Sequence, residues 1–137
     1  MEPAIRCRGL TKHFGDVVAL DRVDLTVPAG VIFGFLGPNG AGKTTFIRLL
    51  TGLDRPTSGG ATVLGEDATS TSQSLRHRTA YLDQQPQFYS WMTGRETVEF
   101  VGRLFGLRGR ELSSRADEVL QDTGLTSAAK RRVGGYS

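Results

Sequence analysis

A glycine-rich stretch constrains the fold of this chain more than any other feature. Residues 37–44 are Gly-Pro-Asn-Gly-Ala-Gly-Lys-Thr and match the pattern G-x-x-x-x-G-K-S/T at every specified position. Chance would place this pattern in a chain of this composition about 1% of the time. Residues 31–36 before it are a short apolar run, typical of a strand buried on both faces. Residues 43–51 after it carry apolar side chains at helical spacing. The sequence predicts a strand, a tight loop and a helix, in that order.

The residue types of the loop suit a chain of phosphates. Glycines let the backbone curl so that successive N–H groups point at phosphate oxygens, and the following helix directs its partly positive N-terminus at the same anion. The Lys43 ammonium is expected to bridge the β- and γ-phosphates, and the Thr44 hydroxyl to bind Mg²⁺. The sequence thus predicts binding of a nucleoside triphosphate with Mg²⁺. The predicted binding residues are Gly37, Pro38, Asn39, Gly40, Ala41, Gly42, Lys43, Thr44 and Thr45.

The remaining pattern changes character near residue 82. Ile5–Phe14 and Val17–Val27 are rich in strand-forming residues around a Gly15-Asp16 turn and predict a hairpin. Further strands are expected at residues 61–64 and 79–82, with a short helix at 74–78 between them. We therefore expect a first part at residues 1–82, built of strands and the loop-helix unit.

Two helices are predicted in the second part, residues 83–137. Thr93 and Glu96 have the spacing of a capping box, and the helix that follows is expected to end at Gly106. A second helix is predicted at about residues 111–123, ending at Gly124.

Composition excludes several classes of protein. No apolar run approaches the length of a membrane-spanning helix, and the N-terminus does not have the features of a secretory signal, which favours the cytoplasm. The net charge of +3 comes from scattered basic residues, so no nucleic-acid partner is expected. The single cysteine, Cys7, is expected to be a small apolar residue in a strand. His13 and His77 are expected at the surface or in turns, since neither has the spacing of a metal site.

The sequence around the loop resembles the ATP-binding cassette (ABC) family over essentially the whole chain. The stretches that carry the resemblance are LTKHFG at residues 10–15, ALDRV at 19–23, GPNGAGKTT at 37–45, LLTGL at 49–53, PTSGG at 56–60, YLDQQP at 81–86 and LFGL at 104–107. Within the family the chain looks most like the ATP-binding subunits of drug and polysaccharide exporters, including daunorubicin-resistance-like ones. The resemblance implies an α/β fold of the ABC type, in which an antiparallel β region, an incomplete parallel core sheet and a partial α-helical subdomain surround a site for ATP and Mg²⁺.

The resemblance also implies roles for two residues outside the loop. Phe14 matches the aromatic residue that stacks on adenine, whereas by its own pattern it is a buried strand residue. Gln84 matches the glutamine that contacts Mg²⁺ and the attacking water, and with Lys43 it completes the implied catalytic set. Its neighbour Gln85 is the competing choice, and without the resemblance Gln84 is a polar loop residue.

Partners are implied in the same way. The resemblance implies a transmembrane permease and a second ATP-binding subunit, with this chain held peripherally on the inner face of the cell membrane. Phe88, Tyr89 and Trp91 match the region that receives a cytoplasmic helix of the permease, and the alternative is that they pack against the helix capped by Thr93. Other readings remain open: a soluble ABC-type ATPase acting on ribosomes or nucleic acid, or a binding-only module.

The last residues set an expectation about hydrolysis. Tyr136-Ser137 match the first two positions of the family's signature motif, and no acidic residue after Gln84 follows an apolar strand. The chain is therefore expected to be a partial sequence. We expect the intact protein to hydrolyse ATP, and residues 1–137 alone to do so negligibly.

Overall fold

A computed structural model of the chain describes residues 2–70 and 73–136. The chain divides into two compact units, Met1–Tyr81 and Leu82–Ser137. No helix within the described ranges is both long enough and apolar enough to span a bilayer.

The first unit is built on an antiparallel sheet. Its strands are β1 (Ile5–Phe14), β2 (Val17–Val27), β3 (Ser58–Val63) and β4 (Glu66–Asp67), in the order β2-β1-β3-β4. The predicted β1–β2 hairpin is confirmed, with Phe14 opposite Val17 across the turn. Gly15 in that turn has φ = 57°, which glycine adopts without the steric cost of a side chain.

Two helices pack in the first unit, α1 (Lys43–Leu50) and α2 (Gln73–Arg78). The apolar face of α1 lies against the sheet, because its period of 3.6 residues places Phe46, Leu49 and Leu50 on one side. Burying each such side chain stabilises the fold by about 1.5–3 kcal/mol. The sheet and its loops add Cys7, Leu10, Leu20, Ala61, Val63 and Ala68 to this core, and α2 adds Leu75.

The prediction for Cys7 is confirmed. It is buried in β1, and desolvation, followed by the nearby charge of Asp24, raises the pKa of its thiol to about 11. A thiol that stays protonated at neutral pH is unreactive, so Cys7 has a packing role.

Two predicted strands are wrong. Residues 31–36 and 79–82 form neither strand nor helix. Val31, Ile32 and Leu36 are largely exposed, and only Phe35 reaches the core, where its ring stacks on Phe46 at a centroid distance of 4.5 Å. A strand exists only where a neighbour takes up its backbone hydrogen bonds. In the described part of the chain every strand of the sheet is antiparallel, so the parallel core sheet expected around residues 31–36 is not formed there.

The second unit is helical. It contains α3 (Gly94–Leu104) and α4 (Gly109–Asp122), followed by 3₁₀ turns at Thr126–Ala128 and Val133–Gly135. The predicted capping box is confirmed: the Glu96 N–H donates to Thr93 Oγ1 at 3.2 Å, and the Thr93 N–H donates to the Glu96 carboxylate at 2.8 Å. The Thr93 N–H and the Thr93 hydroxyl, which donates to the same carboxylate oxygen at 2.9 Å, hold the pKa of Glu96 below its ordinary value.

Helix α4 begins earlier than predicted, at Gly109, and its buried side chains are Leu112, Ala116 and Leu120. The helix ends as predicted just before Gly124, which has φ = 69°.

Candidate functional site

The glycine-rich loop lies in front of α1 and is pressed against β2. Gly42 has φ = 81°, and the Phe46 N–H donates to its carbonyl oxygen at 2.8 Å, which starts the helix. A Cβ at Gly42 would stand 2.3 Å from the Ala19 carbonyl oxygen and 2.9 Å from Leu20 Cδ2. Both the backbone angle and the close approach therefore require glycine. Gly40 has the same φ of 81°, but a Cβ there would meet nothing within 4 Å.

Lys43 folds back over this loop. Its Nζ donates hydrogen bonds to the carbonyl oxygens of Gly37 and Pro38, both at 2.6 Å. The ammonium is thus held over the loop by two neutral acceptors. A phosphate oxygen carries negative charge and forms a stronger hydrogen bond with an ammonium than a carbonyl does. An anion in the loop can therefore replace these two partners.

The N-terminus of α1 is also suited to binding an anion. Gly42 at the cap provides no side-chain acceptor, and the first turn contains no acidic residue. The first N–H groups of a helix need partners from outside it, and an anion is the partner that the helix dipole favours. Thr44 is exposed in this first turn, where its hydroxyl can bind a metal ion carried by the phosphates, and Thr45 is partly exposed.

Phe14 lies at the end of β1 and is half exposed, with 50% of its surface accessible. Its strand pattern predicted a buried side chain, and that alternative is wrong. Val17, its partner across the hairpin, and Val18 are also exposed. Val18 precedes Ala19, the residue that Gly42 approaches, so the exposed end of the hairpin lies beside the glycine-rich loop.

Gln84 lies in the second unit, exposed, in a bend shared with Gln85. The Gln85 N–H donates to Asp83 Oδ1 at 3.3 Å. The contact of Gln84 with Mg²⁺ stays a prediction. Within residues 2–70 and 73–136, no group of His, Cys, Asp and Glu side chains is clustered as a metal site.

The aromatic residues near Gln84 are at the surface, and more than half of Phe88, Tyr89 and Trp91 is exposed. The Tyr89 ring lies 5.6 Å from that of Trp91 and 5.8 Å, edge-on, from that of Phe100 on α3. The packing alternative thus accounts for Tyr89, while the other two rings remain open to a partner.

Sequence reasoning missed two residues beside Phe14. Lys12 forms an ion pair with Asp54 at 2.8 Å, and its Nζ lies 4.8 Å from the centroid of the Phe14 ring. The only signal in the sequence is that Lys12 precedes Phe14 by two positions on one strand. Nothing in the sequence connects either residue to Asp54, which is distant along the chain.

A sheet-and-helix unit with a glycine-rich loop at the start of α1 defines a P-loop protein. The family model described as "ABC transporter" matches residues 20–137. Because this match covers most of the sequence, the chain belongs to the ABC transporter family and is an ABC-type ATP-binding domain, as the resemblance implied.

Relatives with similar sequences are also ATP-binding proteins by name. The chain is 43% identical over 134 residues to the "Daunorubicin resistance ATP-binding protein DrrA2" of Streptomyces coeruleorubidus, a match that covers 98% of this chain and 42% of the relative. It is 41% identical over 128 residues to the "Probable multidrug ABC transporter ATP-binding protein YbhF" of Escherichia coli K12, covering 93% of this chain and 22% of the relative. The chain therefore spans less than half the length of these relatives.

Solved structures show the same fold. MJ1267, an ATP-binding cassette of an ABC transporter, superimposes with a TM-score of 0.84 at 26% identity, covering 100% of this chain and 60% of that one. A nucleotide-free cassette from an ABC transporter gives a TM-score of 0.82 at 27% identity over the same shares. The predicted ABC-type α/β fold is confirmed.

Proposed function

We propose that this chain binds Mg·ATP at residues 37–45 and belongs to the subunit that supplies energy to an ABC transporter. The observation that carries the proposal is the Lys43 ammonium, held 2.6 Å from the carbonyl oxygens of Gly37 and Pro38. Family membership supports ATP as the nucleotide and Mg²⁺ as its usual partner.

The chain would bind the triphosphate with backbone and side chain together. N–H groups of Gly40, Ala41 and Gly42 and of the first turn of α1 surround the phosphate oxygens, and Lys43 exchanges its two carbonyl partners for the β- and γ-phosphates. The Thr44 hydroxyl and the Gln84 side chain would hold Mg²⁺, which neutralises charge on the phosphates when bound. Pro38 and Asn39 complete the curve of the loop, and Thr45 reaches the α-phosphate.

The base would stack on Phe14. Its ring is half exposed at the hairpin end that lies beside the loop, and an aromatic face stacks on a base of any identity. On this reading residues 1–82 are the nucleotide-binding core, and residues 83–137 are part of an α-helical subdomain.

The whole protein would couple ATP hydrolysis to transport, and residues 1–137 alone would hydrolyse ATP negligibly. Hydrolysis needs a carboxylate beside the attacking water, as well as the residues that bind phosphate. The names of the relatives, which refer to daunorubicin resistance and multidrug transport, favour an exporter over a soluble ATPase acting on ribosomes or nucleic acid.

The partners follow from that role. A permease would hold the protein on the inner face of the membrane, with Phe88 and Trp91 as exposed contact residues, and a second ATP-binding subunit would face the nucleotide. Exposed aromatic rings are typical of protein interfaces.

Titration calorimetry of the full chain with Mg·ATP tests the proposal. We expect saturable binding that Lys43→Ala weakens by about tenfold or more, since a charge-assisted hydrogen bond is lost. Lys130→Ala is the matched control, because it removes an exposed ammonium in the other unit. Thermal melting checks that each variant is folded. If folded wild-type protein does not bind Mg·ATP, or if Lys43→Ala binds it equally well, the proposal is wrong.

A further inference from the structure

Lys12 is held at the end of β1 by groups from two other positions in the chain. Its ammonium donates hydrogen bonds to Asp54 Oδ1 and to the Arg55 carbonyl oxygen, both at 2.8 Å. The same nitrogen lies over the Phe14 ring, 4.8 Å from its centroid. A cation within about 6 Å of a ring centroid is attracted to the face of the ring. Lys12 thus covers one face of Phe14, while half of the Phe14 surface stays exposed.

The ion pair is more sheltered than a surface pair. Only 13% of the Lys12 side chain and 23% of the Asp54 side chain are exposed. Charges that are partly withdrawn from water are screened less, and their geometry is better defined. Hydrogen bonds from Lys12 and from the Arg55 backbone hold the pKa of Asp54 below its ordinary value, so the carboxylate is charged at neutral pH.

Asp54 also belongs to the segment that follows α1. The N–H groups of Leu53 and Asp54 donate to the carbonyl oxygen of Arg48, in the last turn of α1, at 2.9 and 3.2 Å. The N-terminus of the same helix carries the glycine-rich loop. Lys12 therefore connects the Phe14 ring to the helix that would hold the phosphates.

From this geometry we propose that Lys12 is a positioning residue for the base of the nucleotide: it holds the Phe14 ring in place for stacking and fixes it relative to α1. The inference rests on the proposed function, since it takes Phe14 as the stacking residue. Lys12 touches no phosphate in this role, because its donors are engaged by Asp54, Arg55 and the ring.

A purely structural role for Lys12 predicts something different. If the ion pair only joined β1 to the segment after α1, its loss would lower the stability of the protein and weaken the binding of every ligand of the site by the same factor. Positioning of Phe14 predicts a loss that depends on the base. Inorganic tripolyphosphate has the phosphate chain of ATP and no base, so it separates the two roles.

The experiment measures the affinities of Mg·ATP and Mg·tripolyphosphate for the full chain by titration calorimetry. The variants are Lys12→Met, Lys12→Arg, Phe14→Ala and the double variant Lys12→Met/Phe14→Ala. Lys130→Met is the matched control, since it removes a lysine charge from the second unit. Thermal melting of each variant reports stability independently of binding.

Stacking of a base on an aromatic side chain is worth roughly five- to 150-fold in affinity. We expect Lys12→Met to lower the affinity for ATP about three- to tenfold, which is part of the stacking effect. Its affinity for tripolyphosphate should fall less than about twofold. Lys12→Arg should restore most of the ATP affinity, since arginine keeps the cation over the ring. The double variant should bind ATP no more weakly than Phe14→Ala.

An equal loss for ATP and tripolyphosphate in Lys12→Met would overturn the inference, and so would additive losses in the double variant. The proposed function fails in a different way. If wild-type protein binds no ATP, or if Lys43→Ala binds ATP normally, phosphate binding itself is wrong and the inference about Lys12 is overturned with it. A tenfold loss in Lys43→Ala with no effect of Lys12→Met overturns the inference alone.

Discussion

The two ends of the proposed nucleotide site are built in different ways. At the phosphate end, backbone forms the site: Gly42 packs directly on the carbonyl oxygen of Ala19, and Lys43 bonds to loop carbonyls five and six residues away. At the base end, side chains form it: the Lys12 ammonium joins Phe14 to Asp54, 42 residues further along the chain. The first end is formed mostly by residues close together in the chain, apart from the contact of Gly42 with Ala19, and the second depends wholly on the tertiary fold. The comparison predicts that substitutions at the two ends will differ in both size and kind of effect.

The largest effect is expected at Gly42. Gly42→Ala combines an unfavourable φ with a Cβ only 2.3 Å from a backbone oxygen, and we expect a loss of at least about 3 kcal/mol in the free energy of unfolding. Gly40→Ala is the matched control, since it has the same φ of 81° and open space around its Cβ. It should cost only about 1–2 kcal/mol. Urea unfolding measures the free energy of unfolding of both variants. Equal losses of this free energy would contradict the close approach of Gly42 to β2.

A smaller effect is expected at Phe14. Phe14→Ala should lower the affinity for Mg·ATP roughly tenfold, because the stacking of the ring on the base is lost. Phe14→Tyr keeps the ring and should stay within about twofold of wild type. Calorimetric titration with ATP measures the difference. Stacking would be ruled out by an alanine variant that binds ATP as tightly as the tyrosine variant does.

The smallest effect is expected at Asp54, and it depends on pH. Because the folded protein lowers the pKa of this carboxyl, the ionised form contributes stability above its unfolded pKa, and that contribution is lost as the pH falls through the lower folded pKa. The Asp54→Asn variant should therefore have a lower melting temperature than wild type at pH 7. The difference between the two melting temperatures should disappear as the pH falls below about 4. Melting curves from pH 7 to pH 3 test this. A difference that does not change with pH would mean that charge on Asp54 is unimportant.

Sequence patterns were reliable where the determining contacts are local. The glycine-rich loop and α1 were predicted together, because each residue there is constrained by its close neighbours. The same holds for the capping box, in which Thr93 and Glu96 bond to each other across one turn of helix. The β1–β2 hairpin was predicted from its turn residues and the strand-forming residues on either side.

Sequence patterns gave wrong predictions where the structure of a segment depends on its contacts with other parts of the fold. Residues 31–36 have the composition of a buried strand, yet most of their side chains are exposed, and only Phe35 packs on the core. Apolar composition shows that a segment gains from burial, but burial and strand pairing require a partner. Phe14 is the opposite case: its strand pattern predicted burial, while its place at the end of the hairpin leaves it half exposed.

The glycine-rich loop, the helix that follows it and the family of the protein could be predicted from the residues alone, because these features depend on residues close together in the chain. The contact of Gly42 with Ala19 and the place of Lys12 between Phe14 and Asp54 are seen only in the folded chain. The physical reason is that pairing of the β1, β2 and β3 strands and packing of α1 bring together segments whose separation in sequence gives no sign of contact.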